Sequence, residues 1–302
     1  MRRVDFTTLK LFCAIADEQS LTKAAEREHL ALAAVSKRIS DLEDDLGIQL
    51  LYRLAKGVSL TPAGDALLHH ARNVLNNLER LDADLSEYSQ GVKGHVRMCA
   101  NTSSIIQFLP EDLSDFVLRH PEIKIDLKEQ VSTEIVHAVR EGVTDIGIYS
   151  DHIAAEGLQV FPYRRDQLMV IVPPNHPLAN RAKVTLQDIA AYDLVALAHD
   201  ASIHSLICQT AHEEGISLRI RIHVRSFDAI CRMIEAGLGI GILPDKAAQS
   251  HTRSMRIVSI SIEGSWTYRK LSICVRDYKS LSVIARQMVD HLSRYNSHPE
   301  NS

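Results

Sequence analysis

Three groups of residues in this 302-residue chain have types and spacings suited to chemistry. The first is the run Ser36-Lys37-Arg38, with Ser40 one turn on and Arg53 and Lys56 bracketing a later turn. Such hydroxyls and cations donate to phosphate oxygens, and Lys or Arg also reads guanine edges. The second is a set of small polar residues closing apolar runs: Asn101-Thr102-Ser103-Ser104, Val131-Ser132-Thr133, His199-Asp200-Ala201-Ser202 and Arg225-Ser226-Phe227. Singly, each reads as a helix cap. Together, at helix starts, they expose N–H groups to a small, anionic ligand. The third is His204, Cys208 and His212, spaced i, i+4, i+8. That spacing permits metal or thiol chemistry, but His and Cys on a partly apolar helix are expected to pack, and no metal site is assigned. The five cysteines (13, 99, 208, 231, 274) lack paired zinc spacing, so reduced, mostly buried thiols are expected. Gly237-Leu-Gly-Ile-Gly241 has a dinucleotide-loop look, yet it follows a helix and leads into a strand, the reverse of the required order. No nucleophile elbow, phosphate loop or catalytic acid pair is present, which leaves an α/β enzyme without a catalytic constellation.

The basic run needs a scaffold. Val4, Leu9, Leu11, Phe12 and Ile15 give a first helix an apolar side. Ser20 caps a second helix, whose Ala24 and Ala25 permit close crossing. In a third, Val35, Ile39, Leu42 and Leu46 form one buried stripe opposite Ala33, Ser36, Lys37 and Ser40, with Arg38 beside them, and Gly47 ends it. A hairpin with Gly57 at its tip follows. This order predicts a mainly α winged helix-turn-helix over residues 1–61, a device that sets one helix in the major groove of DNA. The candidate DNA-facing residues are Thr22, Ala33, Ser36, Lys37, Arg38, Ser40, Arg53 and Lys56. Residues 1–62 hold nine Lys or Arg against nine Asp or Glu, and the whole chain is at −4. Affinity for DNA must therefore come from placed cations and from more than one subunit, not from a general basic field. Glu43, Asp44 and Asp45 are expected to point away from the duplex.

Thr61-Pro62 starts a long helix. Leu67, Ala71, Val74, Leu78, Leu81, Leu85 and Tyr88 then alternate spacings of four and three, a heptad seam. At ~1.5 Å per residue the helix is about 40 Å long. So narrow a stripe suits pairing with a second copy, so residues 62–91 are expected to form a dimerisation helix, with Gly91 and Gly94 as a hinge.

From residue 95 the pattern becomes strands alternating with helices. The apolar runs are 96–100, 123–127, 145–149, 168–172, 194–197, 218–224, 240–243 and 271–275. They argue α/β with mostly parallel sheets, whose ligands bind beyond the carboxyl ends of strands. Residues 95–294 alone would suit a free solute-binding protein, but the DNA-binding segment weighs against that. No signal-type or membrane-spanning apolar run is seen, so a cytoplasmic protein is expected.

Ser20-Leu-Thr-Lys-Ala-Ala25, Ala34-Val-Ser36, Leu42-Glu-Asp-Asp-Leu-Gly47 and Leu60-Thr-Pro-Ala-Gly64 resemble the N-terminal domain of LysR-type transcriptional regulators. Those run Ser-Phe-Thr-x-Ala-Ala, Ser-Gln-Pro-Ala-Val-Ser, Leu-Glu-x-x-Leu-Gly and Leu-Thr-x-Ala-Gly. The chain departs from them at Ala31-Leu32-Ala33, where the family has Ser-Gln-Pro. The resemblance covers nearly the whole chain. It implies a two-lobed α/β effector domain like periplasmic binding proteins, with lobe one at 95–162 plus 267–294, lobe two at 163–266 and a flexible tail at 295–302. Carried over, the cleft positions are Asn101, Thr102, Ser103, Ser132, Ser202 and Phe227. The implied partners are operator DNA, a small-molecule effector, further copies of the chain as dimer or tetramer, and RNA polymerase. No cofactor beyond the effector is implied.

Overall fold

The computed structural model describes residues 5–54, 57–90 and 94–294. Val4, Lys56, Gly91 and the 295–302 tail lie outside the described residues, as does the side chain of Tyr88. The chain divides into two units, Met1–Gly91 with Glu141–Val143, and Val92–Arg140 with Thr144–Ser302.

In the first unit α1 (Phe6–Glu18), α2 (Leu21–Arg27) and α3 (Leu32–Leu46) precede an antiparallel hairpin of β1 (Leu51–Arg53) and β2 (Val58–Leu60), and α4 (Pro62–Gln90) follows. Asp5 caps α1 and Ser20 caps α2, each accepting from a backbone N–H three residues on. Leu11, Phe12, Ile15, Ala24, Ala25, Val35, Ile39 and Leu42 make the core, so the expected stripe of α3 is buried apart from Leu46, which is half-buried. Glu43 does not point to solvent: its Oε1 accepts from the Leu50 and Leu51 N–H groups at 2.7 and 3.1 Å and ties the hairpin to α3. Thr61 Oγ1 accepts from Gly64 N and donates to the Gln49 carbonyl. Gly64 is required there, because a Cβ would come within 2.2 Å of the Leu50 carbonyl oxygen.

The second unit runs β3 (His95–Ala100), α5 (Thr102–Gln107), α6 (Leu109–Arg119), β4 (Lys124–Glu129), α7 (Ser132–Arg140), β5 (Ile146–Ser150), β6 (Gln159–Val172), β7 (Lys183–Val184), α8 (Leu186–Ala190), β8 (Asp193–Leu197), α9 (Ser202–Glu213), β9 (Arg219–Val224), α10 (Phe227–Glu235), β10 (Gly241–Pro244), α11 (Asp245–Thr252), β11 (Val258–Ile262), β12 (Tyr268–Val275) and α12 (Val283–Arg294). The main sheet has the order β4-β3-β5-β12-β6-β11-β7, with β10 also on β6, while β8 and β9 pair separately. It is mixed, not mostly parallel. β3 is parallel to β4 and β5, but β12 is antiparallel to β5 and β6, and β6 is antiparallel to β10 and β11. The reason is that β6 carries the chain from one core to the other and β12 brings it back.

Three separate cores result. One gathers Val96, Met98, Ile146, Ile148, Tyr163, Ile273 and Met288, another Leu168, Val170, Val172, Leu194, Phe227, Ile230 and Ile242, and a smaller one Cys99, Ile135, Val136, Val139, Tyr149 and Cys274. The division falls between Tyr163 and Leu168, a few residues past the expected 162/163 boundary, because β6 stays paired with β12 through Gln167. No described helix is long and apolar enough to cross a membrane.

Candidate DNA-binding face and ligand cavity

The buried stripe of α3 leaves its other side to solvent. Lys37 and Ala33 are exposed there and Ser36 and Ser40 are half-buried, while Thr22 is exposed on α2. Arg53 Nη2 donates to Ser40 Oγ at 3.4 Å, linking the hairpin to α3. Arg38 departs from the expectation of a free cation. Its Nη1 sits 3.0 Å from Asp5 Oδ1 and 3.1 Å from Thr8 Oγ1, at the cap of α1. The Thr8 N–H, then the Thr8 hydroxyl and Arg38, hold the Asp5 carboxyl below its ordinary value. At the head of α3, Ala31 makes no side-chain cap and Ala31, Leu32, Ala33 and Ala34 are all exposed.

In the second unit all six expected cleft residues, Asn101, Thr102, Ser103, Ser132, Ser202 and Phe227, border one cavity of about 30 Å³. Each comes from a strand-to-helix turn: β3–α5, β4–α7, β8–α9 and β9–α10. Asn101 Oδ1 accepts from Ser104 N, and its Nδ2 donates to Ser132 Oγ at 3.4 Å. Ser132 Oγ also accepts from Ser150 N, and Thr102 donates to Glu129 at 2.5 Å. Ser226 caps α10, whereas Ala201 gives α9 no side-chain cap.

Four residues that sequence reasoning missed join this region. Arg269 of β12 donates to Ser103 Oγ at 3.1 Å and forms a buried, two-point ion pair with Asp166 of β6. Gln107 Nε2 donates to Asp166 at 2.7 Å. Arg269 Nη1 and Gln107 Oε1 are buried without a hydrogen-bond partner. His152 Nδ1 lies 2.9 Å from Ser150 Oγ. Nothing in the sequence separates Arg269 from its neighbour Lys270; only the pairing of β6 with β12 brings Arg269 beside Asp166.

Residues 6–65 match the family model described as a bacterial regulatory helix-turn-helix protein of the lysR family, and residues 89–297 match the LysR substrate binding domain. The chain belongs to the LysR family. As a LysR-type protein it is a DNA-binding transcriptional regulator with an effector-binding domain. It is similar to the probable RuBisCO transcriptional regulator of Trieres chinensis, 30% identical over 88% of each chain. It is also similar to the RuBisCO operon transcriptional regulator of Allochromatium vinosum, 26% identical over 93% of each. In fold this LysR-type chain resembles full-length CbnR solved with its target DNA (TM-score 0.67, 23% identity, 96% and 99% coverage).

Proposed function

We propose that this regulator is a cytoplasmic homo-oligomer that docks α3 in the major groove of operator DNA and is switched by a small anionic effector bound between its two α/β lobes. The observation that carries the effector reading is the meeting of four strand-to-helix turns, with all six expected residues, around one cavity. Anionic character is supported by the uncapped start of α9, whose N–H groups and dipole favour negative charge, and by the unpartnered Arg269 Nη1 nearby. A volume of about 30 Å³ holds a water molecule or two, not a metabolite. An effector must therefore part or repack the lobes, so bound and free arrangements differ, which is what a switch requires. DNA docking is supported by the small, hydroxyl-bearing outer side of α3 with Lys37 on it. RNA polymerase completes the proposed set of partners.

The test is a thermal-shift screen of carboxylate and phosphate metabolites against the full chain, repeated on Ser103→Leu. A compound that raises the wild-type midpoint and loses that effect in the variant supports the site. A compound acting equally on both places the effector elsewhere.

A further inference from the structure

We propose that His199, His204 and His223 form a binding site for a divalent transition-metal ion, zinc(II) by the character of the donors, on the second lobe. The three imidazoles come from separate segments: the turn after β8, the first turn of α9, and β9. Their sequence spacing carries no metal signature. The parallel pairing of β8 with β9 assembles them, with Ala196 opposite His223. One donor nitrogen from each ring lies within 4.8 Å of the other two. His199 Nδ1 and His204 Nε2 are 3.2 Å apart. With zinc–nitrogen bonds of ~2.0–2.1 Å, the edge of a tetrahedral site is about 3.3 Å, so this pair already stands at ligand spacing.

The surroundings suit a ligand set. His204 is buried at the first turn of α9, so its ring is held in place by the packing around it. His199 and His223 are exposed, so an ion reaches the cluster from solvent. The group holds no carboxylate, which disfavours calcium and magnesium and favours zinc and its neighbours. Cys208 Sγ lies 3.5 Å from His204 Nε2 but stands outside the three-imidazole group, and His212 takes no part in it. Three protein ligands leave a fourth position for water or a further donor. Because His199 and Ser202 share the β8–α9 turn, a bound ion would hold the turn that borders the cavity.

The experiment uses the full chain, stripped with a chelator and dialysed, and titrated calorimetrically with zinc chloride. The paired variant His199→Ala, His223→Ala changes only exposed side chains, and circular dichroism checks its fold. Expected are one zinc per wild-type chain, a zinc-dependent rise in the wild-type melting midpoint, and an affinity loss in the variant beyond about a hundredfold. Magnesium should not compete. Absence of zinc binding by the wild type, or equal affinity and stoichiometry in the variant, overturns the proposal.

Discussion

Lys37 and Arg38 are neighbours in sequence but not equivalent cations. Lys37 is free to meet a phosphate, whereas Arg38 is shared with Asp5 and Thr8 at the cap of α1. Lys37→Ala should weaken operator binding almost uniformly across sequences, lower the salt slope by about 1, and leave stability unchanged. Arg38→Ala should weaken binding too, with a small added loss of stability from an exposed pair. Filter binding at several salt concentrations beside urea melts separates the two, and an unchanged salt slope for Lys37→Ala would remove it from the DNA face. His204 gives a second prediction. Its folded pKa is below the ordinary value of ~6.5, so between the two values the unfolded chain binds more protons. Stability is therefore full above about pH 6.5 and falls as the solution is acidified through that value. His176, also lowered by burial, adds in the same direction. Urea midpoints measured across that window should drop toward acid; a flat profile contradicts the burial of these rings. At this scale the hydroxyls at helix starts were legible, because capping residues follow local rules. Arg269, Asp166 and the three-histidine cluster were not, because each depends on pairing between segments far apart in sequence.

The helix α4 forms over Pro62–Gln90 as expected, but the residues of its expected seam differ in exposure. Leu67 packs on the core of its own domain and Ala71 is fully buried, so the first part of the expected seam is not available to a partner. The cause is α1, which packs along the start of α4. Leu78 is half-buried, whereas Val74, Leu81 and Leu85 are exposed, the last two at 52% and 61%. Leu81→Glu with Leu85→Glu should then dissociate the oligomer without unfolding the chain, since charges would have to enter the contact unpaired. Light scattering checks this, and an unchanged mass would move the contact off this helix. β6 is the opposite case. The apolar run 168–172 was visible, but residues 159–167 were not, because Pro162, Arg164, Arg165 and Asp166 break any strand pattern. Pro162, Arg164 and Asp166 are tolerated for specific reasons. Asp112 accepts from Tyr163 at 2.6 Å and from Arg164 at 2.5 Å, Asp166 meets Arg269, and the pairing shifts register near Pro162. Period-two reasoning sees only the sequence of the strand itself, and these partners lie on α6 and β12.

At the scale of the whole molecule, binding of DNA and sensing rest on units with separate cores, so Ser103→Leu should silence the effector response while operator footprints stay intact. The return of β12 has a different consequence, for how the protein is made. β12 lies between β5 and β6 in the sheet, yet it is drawn from Tyr268–Val275, about a hundred residues later than β6 begins. During synthesis the helix-turn-helix unit, built from neighbouring segments, can close early. The first lobe cannot: until the last strand leaves the ribosome, β5 and the first half of β6 present bare backbone edges and uncovered apolar faces. The interval between those two events is when a nascent chain is most exposed to sticking to its neighbours. The chain thus can complete its helix-turn-helix unit before the first lobe of its effector-binding domain.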